Sequence, residues 1–321
     1  MTAASPSDPL LFERAPLCAL VGVTGSGKTA LGLEIARAAG AEVLSLDSML
    51  VYRGLDVGTA KPTAAERALV PHHLIDLVDA RERFDVSRYL VAARAALASI
   101  EQRGARALFV GGTALYLRAL THGLFAGPAH DPALRAELER HARDVGPERL
   151  HAQLAHVDPQ SAARLHANDA KRVVRALEVW RQTGRALSEL QREWGSGAGR
   201  PRRLVGLRID PAELDQRLVA RAEAMLDAGW IDEALRAQAS GVGVSAMQAL
   251  GYAEVLELAR GGLTRAQCVQ RVAQRTRQFA RRQRTWLRKF PEVLWLDAPR
   301  SESERAHAVG HALAHFGWQR A

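Results

Sequence analysis

A glycine-rich loop directly after an apolar run constrains this chain more than any other feature. Residues 17–29 have the sequence LCALVGVTGSGKT, in which Gly22, Gly27, Lys28 and Thr29 fit the pattern G-x-x-x-x-G-K-[ST]. In such a loop the backbone turns tightly, so that successive N–H groups point into one concavity, and the N-terminus of the following helix adds its dipole. The sequence therefore predicts a phosphate-binding loop between a buried strand and a helix.

Each polar group of this loop has an expected partner on a phosphorylated ligand. Lys28 supplies a positive charge, and the hydroxyl of Thr29 is in the position that ligates Mg²⁺ bridging two phosphates. We therefore expect Mg²⁺ as the cofactor. The residues predicted to bind the phosphates are Gly22, Thr24, Gly25, Ser26, Gly27, Lys28 and Thr29.

Strand-like segments recur along the chain with helical segments between them. They are LCALVGV at 17–23, AEVLSL at 41–46, ARALFVGG at 105–112, RRLVGLRI at 202–209 and EVLWLDA at 292–298. Continuous apolar strands that alternate with helices predict a parallel sheet covered on both faces. The expected fold class is α/β, with a P-loop NTPase-like parallel sheet flanked by helices. Helices are expected after the loop, ending at Gly40, and from a cap at Asp85 or Ser87 to Gly104.

Between about residues 125 and 200 the pattern contains only helical segments. We interpret this region as an all-helical insertion in the α/β core. The predicted organisation is a first part of the P-loop core over 1–124, a helical insertion domain over 125–201, and a second part of the core with a basic helix over 202–321.

Composition narrows the class of protein. A chain of 321 residues with 47% hydrophobic residues can bury a substantial core. The sequence has no signal peptide and no apolar stretch long enough to span a bilayer, so a cytoplasmic protein is expected, with no membrane partner. Cys18 and Cys268 lie far apart without CxxC or Cys/His spacing, and both are expected to be buried thiols.

The net charge of +9 is concentrated in one segment. From Leu258 to Pro291 there is no Asp or Glu, while ten residues are Arg or Lys, which leaves the rest of the chain nearly neutral. A single basic segment predicts a polyanionic partner, with nucleic acid as the first candidate. A solvated arginine-rich helix is the alternative that the charge pattern alone leaves open.

An acidic residue expected beside an ATP-binding loop is missing. In ATPases an apolar strand ends in an Asp that holds Mg²⁺, but ALFVGG is followed by Thr113. An acid instead follows another strand, where VLSLDS places Asp47 at the carboxyl edge of the sheet, the edge at which ligands of open α/β folds bind. Asp47 is therefore a candidate metal ligand, general base or turn cap.

Six motifs in this order resemble the tRNA dimethylallyltransferase (tRNA isopentenyl transferase) family, bacterial type. They are GVTGSGKTAL, SLDSMLVYRGLDVGTAKPT, PHHLIDLVD, VGGTALYLRAL, HANDAKRVVRALEV and ARRQRTWLRKF, and the resemblance covers the chain from about residue 17 to 298. It implies that the helical insertion domain over 125–201 binds the tRNA anticodon stem. The resemblance implies transfer of a dimethylallyl group from dimethylallyl diphosphate to N6 of adenosine 37, next to the anticodon, in tRNAs that read codons beginning with U. The loop would then hold the diphosphate of the prenyl donor, and no nucleotide would be hydrolysed. A monomer is expected.

The resemblance also assigns site residues. Asp47 matches the family's general base, Thr113 lines the passage where base and donor meet, and Arg221 adds a cation to the leaving diphosphate; without the resemblance, Arg221 and Arg217 are equal candidates. Three segments resemble RNA contacts of the family, and a fourth, QALGYA, departs from the commoner R-C-x-G-Y-R. The residues predicted to contact tRNA are Asp47, Ser48, Met49, Leu50, Lys171, Arg172, Val173, Val174, Arg175, Gln248, Gly251, Tyr252, Arg281, Arg282, Gln283, Arg284, Thr285, Trp286, Leu287 and Arg288.

Three alternative functions remain open from the sequence. The first is a prenyltransferase that acts on free adenine nucleotides, which needs neither the insertion nor the basic segment. The second is a P-loop nucleotide kinase, and the third is a non-catalytic RNA-binding protein. The intact loop and Asp47 argue against the third.

Overall fold

A six-stranded parallel sheet forms the centre of the protein, as the computed structural model describes it for residues 16–123, 127–128, 131–194, 201–243 and 246–321. The strands are β1 (Leu17–Gly22), β2 (Ala41–Leu46), β3 (His72–His73), β4 (Arg106–Gly111), β5 (Arg202–Arg208) and β6 (Val293–Asp297). Their order across the sheet is β3-β2-β4-β1-β5-β6. The five predicted strands are confirmed within one or two residues, and the predicted α/β fold class with them.

Helices connect and cover the strands. They are α1 (Lys28–Ala39), α2 (Ala64–Leu69), α3 (Val86–Gln102), α4 (Ala114–His122), α5 (Pro132–Val145), α6 (Pro147–Val157), α7 (Pro159–Arg164), α8 (Ala170–Thr183), α9 (Leu187–Trp194), α10 (Pro211–Asp227), α11 (Trp230–Ala239), α12 (Tyr252–Ala259), α13 (Arg265–Leu287) and α14 (Glu302–Phe316). None of the helices in the described part of the chain is long and apolar enough to cross a membrane.

The chain divides into two compact units. The α/β unit contains the described residues up to Thr121 and those from residue 201 onwards. The helical unit contains the described residues that lie between these two ranges in the sequence, beginning at His122. The sequence prediction placed the limits of the insertion at 125 and 201. Part of the Gly/Ser/Arg-rich stretch before residue 201 lies outside the described residues.

The helix ends follow the capping signals of the sequence. Gly40 ends α1 in the left-handed conformation with φ 59°, as predicted. Of the two candidate caps for α3, the side chain of Asp85 is the one that accepts a hydrogen bond, from the backbone N–H of Arg88. The same helix ends at Gln102 and its C-cap is Arg103, one residue before the predicted Gly104, which has a φ of 67°.

Two layers of helices pack around β1. Cys18 and Leu20, which point to the same side of the strand, lie in one apolar cluster with residues of α1 and α14. Beyond the end of β1, Val23 packs with residues of α10 and α13. Cys18 and Cys268 are both buried thiols, as predicted. These layers hold the carboxyl ends of β1, β2 and β4 in place, where the phosphate-binding loop lies.

The edge strand β3 was not predicted, because two histidines are too short to show any periodicity. His73 lies beside β2, and its Nε2 is 2.6 Å from a carboxylate oxygen of Glu42, to which Arg103 also donates. His72 Nδ1 contacts the backbone carbonyl of Val70. Both histidines therefore stabilise the edge of the sheet.

The helical unit has a core of its own. Residues of α5, α6, α8 and α9 bury one apolar cluster, whose members include Leu138, Leu154 and Leu177. Within the described residues from 127 to 194 there is no strand, as the sequence predicted. The side chain of Glu178 is fully buried in this unit, where it accepts hydrogen bonds from Arg135 and Arg175.

Candidate active site

The predicted phosphate-binding loop joins β1 to α1. Gly25 and Gly27 have φ angles of 81° and 84°, which side chains with a Cβ rarely adopt, and α1 begins directly after them at Lys28. Ser26 is fully buried, and its hydroxyl has no hydrogen-bond partner in the part of the chain that the structure describes. The geometry is that of an anion site at the N-terminus of a helix.

The end of β4 is fastened beside the end of β2. The backbone N–H groups of Gly112 and Thr113 both donate to the carbonyl of Leu46, at 3.1 Å each. A Cβ at Gly111 would lie only 2.2 Å from that same carbonyl oxygen, so this position requires glycine. Because Leu46 directly precedes Asp47, these contacts bring Thr113 close to the acid.

Asp47 begins a turn at the mouth of the sheet. Its Oδ1 accepts a hydrogen bond of 2.8 Å from the backbone N–H of Met49, which fixes the side chain locally and leaves the second oxygen free of that bond. Asp47 therefore caps this turn, which is one of the three roles that the sequence left open. This cap does not exclude a chemical role, because Asp47 also lines the cavity described next.

A cavity of about 400 Å³ in the α/β unit brings the predicted donor-side residues together. The polar residues that line it near the loop are Thr24, Lys28, Thr29, Asp47, Thr113 and Arg221. Apolar lining comes from α10 and α13, including Leu218, Met225 and Val272. One cavity thus combines cations, one carboxylate and an apolar wall.

Arg221 and Arg217, one helical turn apart on α10, have different partners. Nη1 of Arg221 lies 3.2 Å from the hydroxyl of Thr24 in the loop. Arg217 instead forms an ion pair of 2.6 Å with Glu213 and does not line this cavity. The geometry therefore favours Arg221 as the additional cation of the phosphate site.

The charges in the cavity influence one another. The pKa of Lys28 is lowered to about 8, mainly by burial, which the negative charge of Asp47 opposes, and to a smaller extent by the positive charge of nearby Arg221. Burial also lowers the pKa of Arg221, again opposed by Asp47. Two cations and one carboxylate therefore share a region that is poorly solvated, and an added diphosphate would relieve the repulsion between the two cations.

Gln283 connects the loop to β4. Its side-chain Oε1 accepts a hydrogen bond of 2.9 Å from the N–H of Thr24, and its Nε2 donates to the carbonyl of Gly112 at 3.1 Å. Gln283 was predicted as a tRNA contact, but its side chain is buried and both ends of the amide are already used. No pattern near residue 283 reveals this bridge, because its two partners are distant in sequence.

The arginines of α13 fall into two groups. Toward its start, arginines form ion pairs with carboxylates of neighbouring helices: Arg265 with Asp227, Arg271 with Glu257, Arg275 with Glu254 and Arg277 with Asp215. Toward its end, within the described residues, no carboxylate pairs with Arg281, Arg282, Arg284 or Arg288. Arg281, Arg282 and Arg288 are exposed. The terminal group, which we call the free arginine group, is available to phosphates.

Other predicted tRNA contacts in the α/β unit have mixed positions. Ser48, Met49, Leu50 and Gln248 line the cavity, and Thr285 is exposed. Gly251 caps α12, and Tyr252 and Leu287 are buried. Nζ of Lys289 lies 4.3 Å from the ring centre of the half-buried Trp286. Buried side chains in this set cannot reach an RNA surface in this structure.

Predicted contacts in the helical unit also divide by burial. Lys171 and Arg172 are exposed at the start of α8. Val173 and Val174 belong to the core of the unit. Arg175 is engaged by the carboxylate of Glu178 and by the carbonyl of Pro128, both at 2.9 Å. Lys171 and Arg172 are therefore the exposed side chains of this set, and Arg175 is half-buried.

Oxygen donors in the cavity suit Mg²⁺. Thr29 and Asp47 line it together, and no cluster of three His, Cys, Asp or Glu side chains that could hold a metal occurs among the described residues. Mg²⁺ commonly uses one or two protein oxygens and takes its remaining ligands from water and substrate phosphates. The residues present fit such an ion, which a diphosphate would help to hold.

Comparisons with known proteins agree with this geometry. The sequence model of the family described as IPP transferase matches residues 50–290, and that of isopentenyl transferase matches residues 15–73. A tRNA dimethylallyltransferase of Geobacter metallireducens is 43% identical over 291 residues, which cover 89% of this chain and 94% of the relative. That of Methylibium petroleiphilum is 45% identical over 317 residues, with 95% of each chain covered.

Solved structures give the same result. The tRNA isopentenylpyrophosphate transferase of Bacillus halodurans superposes with a TM-score of 0.67 at 34% identity, covering 95% of this chain and 97% of that one. A eukaryotic dimethylallyltransferase acting on tRNA gives a TM-score of 0.77 at 28% identity, covering 94% and 78%. The extent and identity of these matches show that the chain belongs to the IPP transferase family of tRNA dimethylallyltransferases.

Proposed function

We propose that this protein transfers a dimethylallyl group from dimethylallyl diphosphate to N6 of adenosine 37, next to the anticodon, in tRNAs that read codons beginning with U. The observation that carries the proposal is that Asp47, Lys28 and Arg221 line one cavity with the phosphate-binding loop. A P-loop nucleotide kinase is disfavoured, because β4 leads into Gly112-Thr113 and not into an acid.

The chemistry requires a base on one side and charge stabilisation on the other. The lone pair of N6 forms a bond to C1 of the donor while the C1–O bond breaks and its electrons pass to the diphosphate. The amine is a poor nucleophile, and Asp47 accepts its proton. Loop N–H groups, Lys28 and Arg221 stabilise the charge that builds on the leaving group. Mg²⁺ held by Thr29 would neutralise part of the negative charge of the diphosphate.

The acceptor RNA needs a second set of contacts. An adenine within an anticodon loop must leave its stack to enter a cavity, and the stem must be held by its phosphates. The free arginine group and the exposed Lys171 and Arg172 supply positive charge for this purpose. Since all donor-side residues belong to one chain, we propose that the enzyme acts as a monomer, in the cytoplasm where tRNA is found.

The substrates can be tested directly. The protein is incubated with Mg²⁺, labelled dimethylallyl diphosphate and either an unmodified anticodon stem-loop bearing A36 and A37 or free AMP. We expect the label in the RNA. Label that enters AMP but not the stem-loop would contradict the tRNA proposal and support the prenyltransferase of free nucleotides.

Donor affinity is expected to fall at alkaline pH. Lys28 carries its charge below a pKa of about 8 and loses it above this value, so dimethylallyl diphosphate should bind about tenfold more weakly for each pH unit beyond it, if only the charged form binds. Calorimetric titrations between pH 7 and 10 without RNA measure this change. Lys28→Met is the control, with weaker binding that changes little across the range. A wild-type affinity that stays constant to pH 10 would contradict the role of Lys28.

The free arginine group is expected to determine the salt dependence of RNA binding. Arg281→Ala/Arg282→Ala should reduce the slope of log K against log salt by about one for each arginine, because each releases a counterion from a phosphate. Arg265→Ala/Arg271→Ala removes the same charge from the same helix, but both residues already pair with carboxylates. This control should retain most of the slope. Equal slopes for the two double variants would show that α13 is only a solvated helix.

A further inference from the structure

A buried carboxylate outside the phosphate site holds a loop that lines the cavity. Glu233, on α11, is 4% exposed. It accepts hydrogen bonds from three successive backbone N–H groups, those of Asp56 at 2.8 Å, Val57 at 2.7 Å and Gly58 at 2.9 Å. The hydroxyl of Tyr252 donates a fourth, at 2.6 Å. Hydrogen bonds to a charged acceptor are among the strong ones, so this loop has little freedom to move.

A buried cation fastens the other end of the same loop. Nζ of Lys61 donates to the carbonyl of Tyr52 at 2.7 Å and to side-chain oxygens of Asp56 at 2.5 Å and Asp76 at 2.6 Å. The residues between Asp56 and Lys61 are therefore held at both ends by charged groups. Burial makes each of these interactions hard to replace by water.

Trp230 fills the space behind this loop. It precedes Glu233 by three residues and so lies on the same face of α11. A Cβ at Gly58 would lie 2.0 Å from Nε1 of Trp230, and one at Gly251 would lie 2.2 Å from its Cη2. The two glycines thus allow two separate segments to close on one indole ring.

The two segments form one side of the cavity, which we call the Glu233 wall. It consists of Gly58, Thr59, Ala60, Gln248, Ala249 and Leu250. The wall carries no charged side chain. The cations that line the cavity are Lys28 and Arg221, which lie with the phosphate-binding loop, and Arg282 on α13. Small, uncharged side chains suit a planar, hydrogen-bonding group such as a nucleobase, and this wall has no cation to balance the charge of a diphosphate.

We propose that Glu233 is a positioning residue that holds this wall in the shape that receives the acceptor adenine. The inference rests on the proposed function, since it assigns the neutral side of the cavity to the base and the cationic side to the donor. Glu233 does not contact the substrate itself. It acts through the backbone of residues 56–58 and through Tyr252.

Glu233→Gln tests this inference. A glutamine keeps the size of the side chain but replaces one acceptor oxygen by an NH₂ group, which would face N–H or O–H donors. We expect KM for the stem-loop to rise about 10- to 100-fold, as for misplaced substrate-positioning groups, with an unchanged Kd for dimethylallyl diphosphate. Weaker donor binding with an unchanged KM for RNA would show that the wall serves the prenyl group, and would overturn the inference.

A second RNA separates base positioning from general damage. A stem-loop with an abasic site in place of the target adenosine should bind wild type and Glu233→Gln equally, while the intact stem-loop binds the variant more weakly. A variant that lowers both affinities, or only the fraction of active enzyme, would overturn the inference. If wild type does not modify the stem-loop at all, the proposed function fails instead.

Tyr252→Phe provides the milder variant. It removes one of the four hydrogen bonds to Glu233 and leaves the three backbone bonds in place, so folding should be retained even if Glu233→Gln proves unstable. We expect the same direction of change, a rise of about two- to fivefold in KM for the stem-loop, with unchanged donor affinity. An unchanged KM in this variant would count against the inference as well.

Discussion

Asparagine in place of Asp47 is expected to lower kcat for dimethylallyl transfer by about 100- to 10,000-fold, the usual contribution of a general base, while tRNA binding is retained. The amide oxygen of asparagine can still accept the N–H of Met49, so the turn at the mouth of the sheet should persist. What the variant loses is the negative charge and the ability to accept the N6 proton. Single-turnover rates with saturating donor and stem-loop measure the loss.

Donor binding must be controlled separately, because the charge of Asp47 helps Lys28 to stay protonated. Removing that charge should lower the pKa of Lys28 further below its usual value. Donor affinity is therefore compared near pH 6.5, where Lys28 is protonated in wild type. Asp227→Asn, the same substitution at an exposed residue that does not line the cavity, serves as the matched control. A rate for Asp47→Asn within threefold of wild type would remove Asp47 from the role of base.

Local patterns in the sequence predicted the elements that carry strong periodicity. All five apolar strands appear where expected, because each is a continuous apolar run, although the edge strand β6 is only partly buried. The carboxyl edge with Asp47 follows from their parallel order. The two-residue strand β3 was missed, since it is too short to show an apolar pattern and it pairs with β2, which lies about 30 residues away in sequence. Strand pairing, and not local propensity, decides its conformation.

Side chains that bridge distant segments could not be predicted. Gln283 joins Thr24 to Gly112 across 259 and 171 residues of sequence, and Glu233 holds a loop about as far away. In both cases the partner is a backbone group, which leaves no trace in the sequence. The family resemblance placed Gln283 among the tRNA contacts, because it lies within the motif ARRQRTWLR. In the structure it faces inward, on the buried side of that helix.

Burial also explains why only some residues of a predicted RNA-contact motif are exposed. In the segment KRVVR, two consecutive valines point into the helical core, while Lys171 and Arg172 point outward. Such an alternation is required of any amphipathic helix, so a continuous motif combines residues that bind with residues that pack. Among the predicted RNA contacts, the exposed cations are therefore the ones to test first.

Arg221→Ala is expected to reduce kcat/KM by about 100- to 1,000-fold, the usual effect of removing one group that stabilises developing negative charge. The guanidinium lies 3.2 Å from the hydroxyl of Thr24 and shares the cavity with Lys28 and Asp47. Without this guanidinium, less positive charge would stabilise the negative charge that develops on the leaving diphosphate. Because the charge on the leaving group grows as the C1–O bond breaks, kcat should fall more than donor affinity.

Arg217→Ala supplies the comparison that the sequence alone could not make. This arginine occupies the same helix one turn earlier, but its guanidinium is already paired with Glu213 at 2.6 Å, and such partly exposed pairs contribute little. We expect kcat/KM of this variant to stay within about threefold of wild type. Both variants remove one positive charge from α10, so a difference between them reports position and not net charge. Equal losses in the two would mean that α10 acts only through its overall charge, and the assignment of Arg221 to the leaving group would be wrong.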